Sequence, residues 1–176
     1  MTLSRKLRLV CLVFLLACTA GCDHASKHIA RAGLSQTGSV TLPGGGVELR
    51  LVENPGSFLS LGVLLPESAR FVVFTLCVGV GLVALIVYLT SRARIDMTRF
   101  IGLSFVVAGG VSNLLDRILH HGLVTDFVTI HVGPFHTGVF NAADILIMTG
   151  VGIIACTLRQ RTSPDCPTSR MQRTPR

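Results

Sequence analysis

The sequence predicts a mainly α, polytopic membrane protein with four transmembrane helices and a small periplasmic β-sheet between the first and second spans. Three observations carry this expectation. First, 49% of the 176 residues are hydrophobic and only 14% are charged, with a mean hydropathy of +0.63. A soluble domain carries about 25% charged residues, so this chain has too few charges to cover a water-facing surface. Second, four apolar runs stand out, two of them 20 residues long; at 1.5 Å per residue such a run reaches roughly 30 Å, the thickness of a bilayer's hydrocarbon core. Third, 11 of the 16 Lys and Arg fall in segments that share one side if all four runs span.

The first run, Leu9 to Cys22, is 14 residues long and reaches span length if its helix continues through Asp23 and Lys27, giving a span of about 9–33. The second, Phe71 to Thr90, spans about 71–90. The third, Phe100 to Leu115, reaches span length if its helix starts near Met97, giving about 97–115. The fourth, Val139 to Leu158, spans about 139–158. Together residues 1–158 read as a single domain, and 159–176, rich in Pro, Ser, Thr and Arg, as a disordered cytoplasmic tail.

Topology follows from the basic residues. Arg5, Lys6 and Arg8 precede the first run, Arg92, Arg94 and Arg99 link the second and third, and five arginines follow the fourth. The positive-inside rule places both termini in the cytoplasm, which accounts for the net charge of +7 without a nucleic-acid partner. The segments of about Lys27 to Arg70 and Asp116 to Thr137 then lie outside, which in a bacterium is the periplasm. Within the first of these, about 35–66, Val40-Thr41-Leu42, a turn at Pro43-Gly44-Gly45-Gly46 and Val47 to Glu53 read as a hairpin lying on the membrane. Its period-2 alternation puts Val47, Leu49 and Leu51 on one face and Glu48 and Arg50 on the other.

A rival reading applies to the N-terminus. Arg5, Lys6 and Arg8, an apolar stretch and Thr19-Ala20-Gly21-Cys22 have the layout of an export signal ending at a lipoprotein processing site. The chain would then be a lipid-anchored protein processed at Cys22. Cys11, Cys18, Cys22, Cys77 and Cys156 all lie in or beside apolar runs and read as small buried residues, with no spacing that suggests a disulfide framework or a zinc site.

The informative residues are acids at membrane depth, because an ionisable group there costs about 2.5 to 3.5 kcal/mol at a helix centre. Asp23 is one turn from Lys27, and Asp116 precedes Arg117, so both read as structural pairs. Asp144 has no basic residue within a turn on either side, and Asp126 is the nearest unpaired acid. Two carboxylates in a poorly hydrated site share one proton, which offers an acid and a base together. That suits peptide hydrolysis, with one carboxylate drawing a proton from water and the other supporting the oxyanion. His24, His28, His120, His121, His131 and His136 show no metal-ligand spacing, and His120-His121 reads as a solvated or headgroup-level pair. From the residues alone, an aspartate-dependent membrane enzyme stands beside a non-catalytic four-span scaffold or transporter.

Five ordered blocks then show a resemblance: Asp23-His24-Ala25-Ser26-Lys27; Asn54-Pro55-Gly56-Ser57-Phe58-Leu59-Ser60; Gly109 to Arg117 (Gly-Gly-Val-Ser-Asn-Leu-Leu-Asp-Arg); Gly122-Leu123-Val124-Thr125-Asp126-Phe127; and Phe140-Asn141-Ala142-Ala143-Asp144. Together they are similar to the lipoprotein signal peptidase (signal peptidase II) family, bacterial aspartic proteases of the inner membrane. The resemblance implies a catalytic dyad of Asp126 and Asp144, with Asp23, Lys27, Asn54, Gly56, Asn113, Arg117 and Asn141 shaping the site or holding substrate, and a structural Asp116. It implies a diacylglyceryl-modified prolipoprotein as substrate, cut just before the lipidated cysteine, with no metal or organic cofactor and with globomycin as inhibitor. The acyl chains and signal helix could remain among the membrane lipids while the scissile bond reaches the site. The outer segment around Asn54 to Ser60 could clamp the substrate. Two positions depart from the family pattern: Ser112 replaces a usual Gly and adds a side chain at a helix contact, and Phe58-Leu59 replaces Ala-Phe near the expected substrate groove.

Overall fold

A computed structural model describes residues 4–56, 65–92 and 95–162. In chain order it contains α1 (Arg5–Thr37), β1 (Ser39–Thr41), β2 (Val47–Asn54), α2 (Glu67–Phe71), a π-helical stretch (Val72–Cys77), α3 (Val78–Ser91), α4 (Met97–Leu119), β3 (Val124–Val132), β4 (Phe135–His136) and α5 (Ala142–Thr162). Four helices are long and apolar enough to cross a membrane: Arg5–Thr37, Glu67–Ser91, Met97–Leu119 and Ala142–Arg159. The first does run on through Asp23 and Lys27. Its 33 residues extend about 50 Å, some 20 Å more than a bilayer core, and α1 also packs on the strands. The π-helical stretch continues from α2 into α3 without a break, and α5 extends through Thr162 into the segment read as tail. The rest of that tail, and Phe58 and Leu59, lie outside the described residues.

Helix α4 is the centre of the bundle and packs on α1, α3 and α5. Between membrane spans, close packing stands in for the hydrophobic effect, and small residues permit it. A Cβ on Gly109 would strike the carbonyl of Ala143, and one on Gly150 would sit 2.5 Å from the carbonyl of Gly102. These glycines let α5 lie against α4 with Asp144 facing inward. At the opposite end, Arg8 is buried rather than a free loop charge. Its guanidinium donates to the carbonyls of Leu89 at 3.2 Å and Arg92 at 2.7 Å, satisfying the open C-terminus of α3.

Both non-cytoplasmic segments of the sequence reading contribute to one antiparallel sheet of order β1-β2-β3-β4. The sheet is therefore larger than the hairpin expected between the first two spans, because β3 and β4 come from the connection between α4 and α5. The simple alternation also fails within β2. Leu49 pairs with Val128 but Val52 pairs with Asp126, so β2 holds one extra residue, a β-bulge that reverses the side-chain phase. Val47, Leu49, Val52 and Asn54 share a face with Asp126. Leu51 does not belong to that series.

A buried ion cluster ties the helices together. Lys27 on α1 reaches Asp23 at 2.5 Å and Asp116 on α4 at 2.8 Å, and all three side chains are almost fully buried. Asp116 is thus paired with Lys27 and not with its neighbour Arg117. Its Oδ2 also accepts the Thr125 N–H of β3 at 3.2 Å. Asp23 takes two further donors, the Ser112 hydroxyl at 2.7 Å and the Ala143 N–H in the first turn of α5 at 3.2 Å. Ser112 is therefore a hydrogen-bond donor rather than added bulk. The described cysteines do not share this interior: Cys11, Cys18, Cys22, Cys77 and Cys156 are all exposed, on the outer faces of their helices. Cys22 sits in mid-helix beside the buried Asp23, an arrangement that gives no support to processing there.

Removing one member of a buried ion pair strands the other, at a cost of about 3 to 5 kcal/mol, while losing one donor to a charged acceptor costs about 1.5 to 3 kcal/mol. Lys27→Met is expected to lower the unfolding midpoint in detergent steeply and Ser112→Ala to lower it by less. An unchanged midpoint for Lys27→Met would show that the cluster does not hold the bundle.

Candidate active site

The first turn of α5 builds the site. Asn141 stands immediately before the helix and its Oδ1 accepts the Asp144 N–H at 3.0 Å, while Asp144 Oδ2 accepts the Asn141 N–H at 3.1 Å. This reciprocal pair is a capping box with Asp at the third position, and it fixes the Asp144 side chain against the helix end. The other oxygen, Oδ1, accepts from Asn113 Nδ2 on α4 at 2.8 Å. Asp144 is therefore held from two helices by neutral amide donors.

Asp126 arrives from β3. Its Oδ1 accepts from Asn141 Nδ2 and its Oδ2 from Asn54 Nδ2, each at 2.7 Å. Asn54 is available for this because the bulge in β2 turns it onto the Asp126 face. Asn141 thus contacts both acids, and its amide also donates to Asn113 Oδ1 at 3.1 Å, which in turn faces Lys27 Nζ at 3.4 Å. Asp126 is only 1% exposed. Burial, with a contribution from the charge of Asp144, pushes it up to about 6, against the opposing pull of hydrogen bonds from Asn54 and Asn141 and of the Lys27 charge. A carboxyl poised there holds a proton at a pH where an exposed one would have lost it.

Gly56 closes the other wall. It adopts φ +106°, its N–H donates to Asn54 Oδ1 at 3.0 Å, and a Cβ would lie 2.5 Å from the Phe74 ring. Both the backbone conformation and the close approach require glycine. A cavity of about 580 Å³ opens here, lined by Asn54, Gly56, Phe74, Arg117, Phe140 and Asp144 among others, and it runs down α5 past Ile145 and Met148. A second groove of about 680 Å³, between α3 and α4, shares Arg117 but neither acid. Arg117 donates to the Asn113 carbonyl at 3.3 Å and so stands at the junction of the two.

Seven of the nine residues singled out from the sequence surround this site: Asp126, Asp144, Asn54, Gly56, Asn113, Arg117 and Asn141. Asn54, Gly56, Arg117 and Asp144 line the cavity, and Asp126, Asn113 and Asn141 join it through hydrogen bonds to Asn54 and Asp144. Asp23 and Lys27 do not line it. They lie behind it in the ion cluster, where Asp23 holds the Ala143 N–H next to Asp144. Sequence reasoning missed Phe74, which looks like any apolar residue of its span, and the outer brace of Arg31, which contacts the Thr125 hydroxyl, Glu53 and His120. His120 is thus part of a packed polar network rather than a solvated pair with His121. Among the described residues no group of three or more His, Cys, Asp or Glu is arranged to hold a metal.

Comparison with known proteins places the chain in a family and shows its fold elsewhere. The family described as signal peptidase (SPase) II matches residues 15–159. The lipoprotein signal peptidase of Helicobacter acinonychis is 33% identical over 134 residues, covering 76% of this chain and 77% of that one. The protein of the same name from Maridesulfovibrio salexigens is 35% identical over 131 residues, covering 73% and 81%. Two solved structures of bacterial membrane enzymes, both obtained by the in meso method, share the fold. One has a TM-score of 0.70 at 21% identity over 93% of this chain and 94% of that one, and the other a TM-score of 0.70 at 22% identity over 86% and 94%. The match spans nearly all of the bundle, the sheet and the acid-bearing turn, and the chain belongs to the signal peptidase II family.

Proposed function

We propose that Asp126 and Asp144 are the catalytic dyad with which this peptidase removes the signal peptide of a diacylglyceryl-modified prolipoprotein, cutting just before the lipidated cysteine. The observation that carries the reading is the shared Asn141, which holds Asp126 of the sheet beside Asp144, an acid that lines an apolar cavity. Asp126, pushed up to about 6, is the member suited to carry the proton, and Asp144 is the member suited to act as base. In the forward step a water attacks the scissile carbonyl, its proton passes to Asp144, and the Asp126 proton moves to the carbonyl oxygen. Collapse of the tetrahedral intermediate returns that proton to Asp126 and delivers the one on Asp144 to the leaving amine. No cofactor is needed for these transfers.

Arg117, Asn54 and Gly56 line the cavity and are suited to hold the substrate backbone. Ile145 and Met148 offer an apolar path for a chain that stays in lipid. Both oxygens of Asp126 are already engaged by amides, so substrate entry displaces one of these donors. Globomycin-type cyclic peptides would compete for the same cavity. The basic residues at the opposite end of the bundle, Arg5, Lys6, Arg92 and Arg159 among them, favour a bacterial inner-membrane protein with both termini cytoplasmic and the dyad near the periplasmic face.

Asp126→Asn and Asp144→Asn keep size and polarity but remove the titrating group and replace one accepting oxygen by a donor. Each is expected to lower kcat/KM for a diacylglyceryl prolipoprotein roughly 100- to 10,000-fold, measured by gel or mass spectrometry with folding checked by thermal unfolding. Full activity in either folded variant would refute the dyad. A pH profile gives a second test. The dyad works with one proton, so kcat/KM falls as that proton is lost at higher pH. Asn54→Ala removes a hydrogen bond that favours the ionised form of Asp126, so the alkaline limb is expected to move to higher pH; a limb that stays in place or moves down would contradict the assignment.

A further inference from the structure

The bulge in β2 leaves the sheet with two unlike faces. Residues directly opposite in an antiparallel pair project to the same side, so the register carries one face across all four strands. The face that bears Asp126 continues outward through Val128 and Ile130 to Val132, which pairs with Phe135 on β4, and across to Val40 and Leu42 at the β1 edge. The opposite face carries Glu48, Arg50, Thr129, His131 and His136. Its Glu48 and His131 side chains meet at 3.0 Å.

The outer part of this face is not covered by the rest of the chain among the described residues. Phe135 is 78% exposed and Val132 71%, with Ile130, Val40 and Leu42 near 40%. Two such side chains paired at the tip of a hairpin have no folding role that burial could reward, and a contiguous apolar patch of this kind marks a surface that meets something apolar. Its orientation narrows what that is. Asp126 reaches Asn141 at the start of α5, so this face looks towards the outer end of the bundle. The Val128–Phe140 bridge joins it to the turn entering α5, whose outward residues Ile145 and Met148 are themselves exposed. Exposed apolar residues therefore lie on both sides of this turn, on the fourth span and on the hairpin.

We propose that the β3–β4 hairpin is a membrane-contacting element, seating Val132 and Phe135 in the interfacial layer of the same bilayer that the four helices cross. Its partner is the lipid surface, met by an aromatic ring at headgroup depth with the polar face turned to water. Asp126 and Val132 lie on one strand six residues apart, about 20 Å, so the contact fixes the height of the dyad's strand over the membrane. The inference rests on the membrane-spanning reading and is independent of the dyad's chemistry.

The chain contains no Trp, so a single Trp reports one position without background. Phe135→Trp and, on the opposite face, Thr41→Trp would each be reconstituted into phosphatidylcholine–phosphatidylglycerol vesicles with or without brominated acyl chains. Phe135→Trp is expected to emit at shorter wavelength than Thr41→Trp, to lose intensity with brominated lipid and to resist aqueous iodide, while Thr41→Trp shows the reverse. Red-shifted, iodide-quenched emission from Phe135→Trp would overturn the proposal, since the face would then be open to water. Blue-shifted emission insensitive to brominated lipid would overturn it equally, because protein would then cover the face. Prolipoprotein cleavage by the same vesicles reads the peptidase separately.

Discussion

The structure depends on one amide. Asn141 Nδ2 joins Asp126 of the sheet to Asn113 of α4, while its Oδ1 and N–H lock Asp144 into the first turn of α5. Two acids drawn together in a poorly hydrated place repel when ionised, so they stay in position only if neutral donors satisfy their oxygens and the supporting elements cannot part. An amide does both. It supplies donors to one carboxylate and an acceptor to the backbone beside the other, with no charge of its own to neutralise either acid.

The remaining polar interior serves that geometry. Lys27 carries a positive charge into the bundle, where Asp23 and Asp116 meet it, and each acid spends its other contacts on the site's frame: Asp23 on the Ala143 N–H, Asp116 on the Thr125 N–H. Ala143 and Thr125, the residues immediately before the two acids of the proposed dyad, are thereby pinned to the same cluster. Buried ion pairs are weak sources of net stability, and a well-packed apolar replacement is often neutral or better. Their value here is positional, since α1, α4, α5 and β3 meet at Lys27 and its two acids. The glycines of α4 and α5 then allow the close approach that brings Asn113 within reach of Asp144.

Much of this was legible in the sequence because membrane physics is restrictive. Twenty apolar residues have few alternatives to a span, and an acid such as Asp144 with no local partner signals a site before any fold is known. The ordered blocks extended that signal to Asn54, Asn113 and Asn141. What stayed hidden depended on pairing between distant segments. The bulge between Leu49 and Val52 has no signature in a strand that alternates well on paper, yet it decides which face Asn54 occupies. The short polar-apolar run of β3 shows little but its Asp on paper, because its partner strand lies some 70 residues earlier. Adjacency in sequence suggests Arg117 as the partner of Asp116, whereas helix geometry points consecutive side chains about 100° apart and favours partners on other elements. The cysteines misled for a related reason, since in a bilayer the outer face of a helix is as apolar as its inner one.

In the proposed mechanism Asp126 and Asp144 share one proton, held on Asp126. Infrared difference spectroscopy of the protein in lipid, titrated through the range around pH 6, reads a protonated carboxyl directly by its carbonyl stretch. A band that is present below this pH, fades above it and is absent from Asp126→Asn is the predicted result. No such band, or one that persists unchanged in Asp126→Asn, would contradict it.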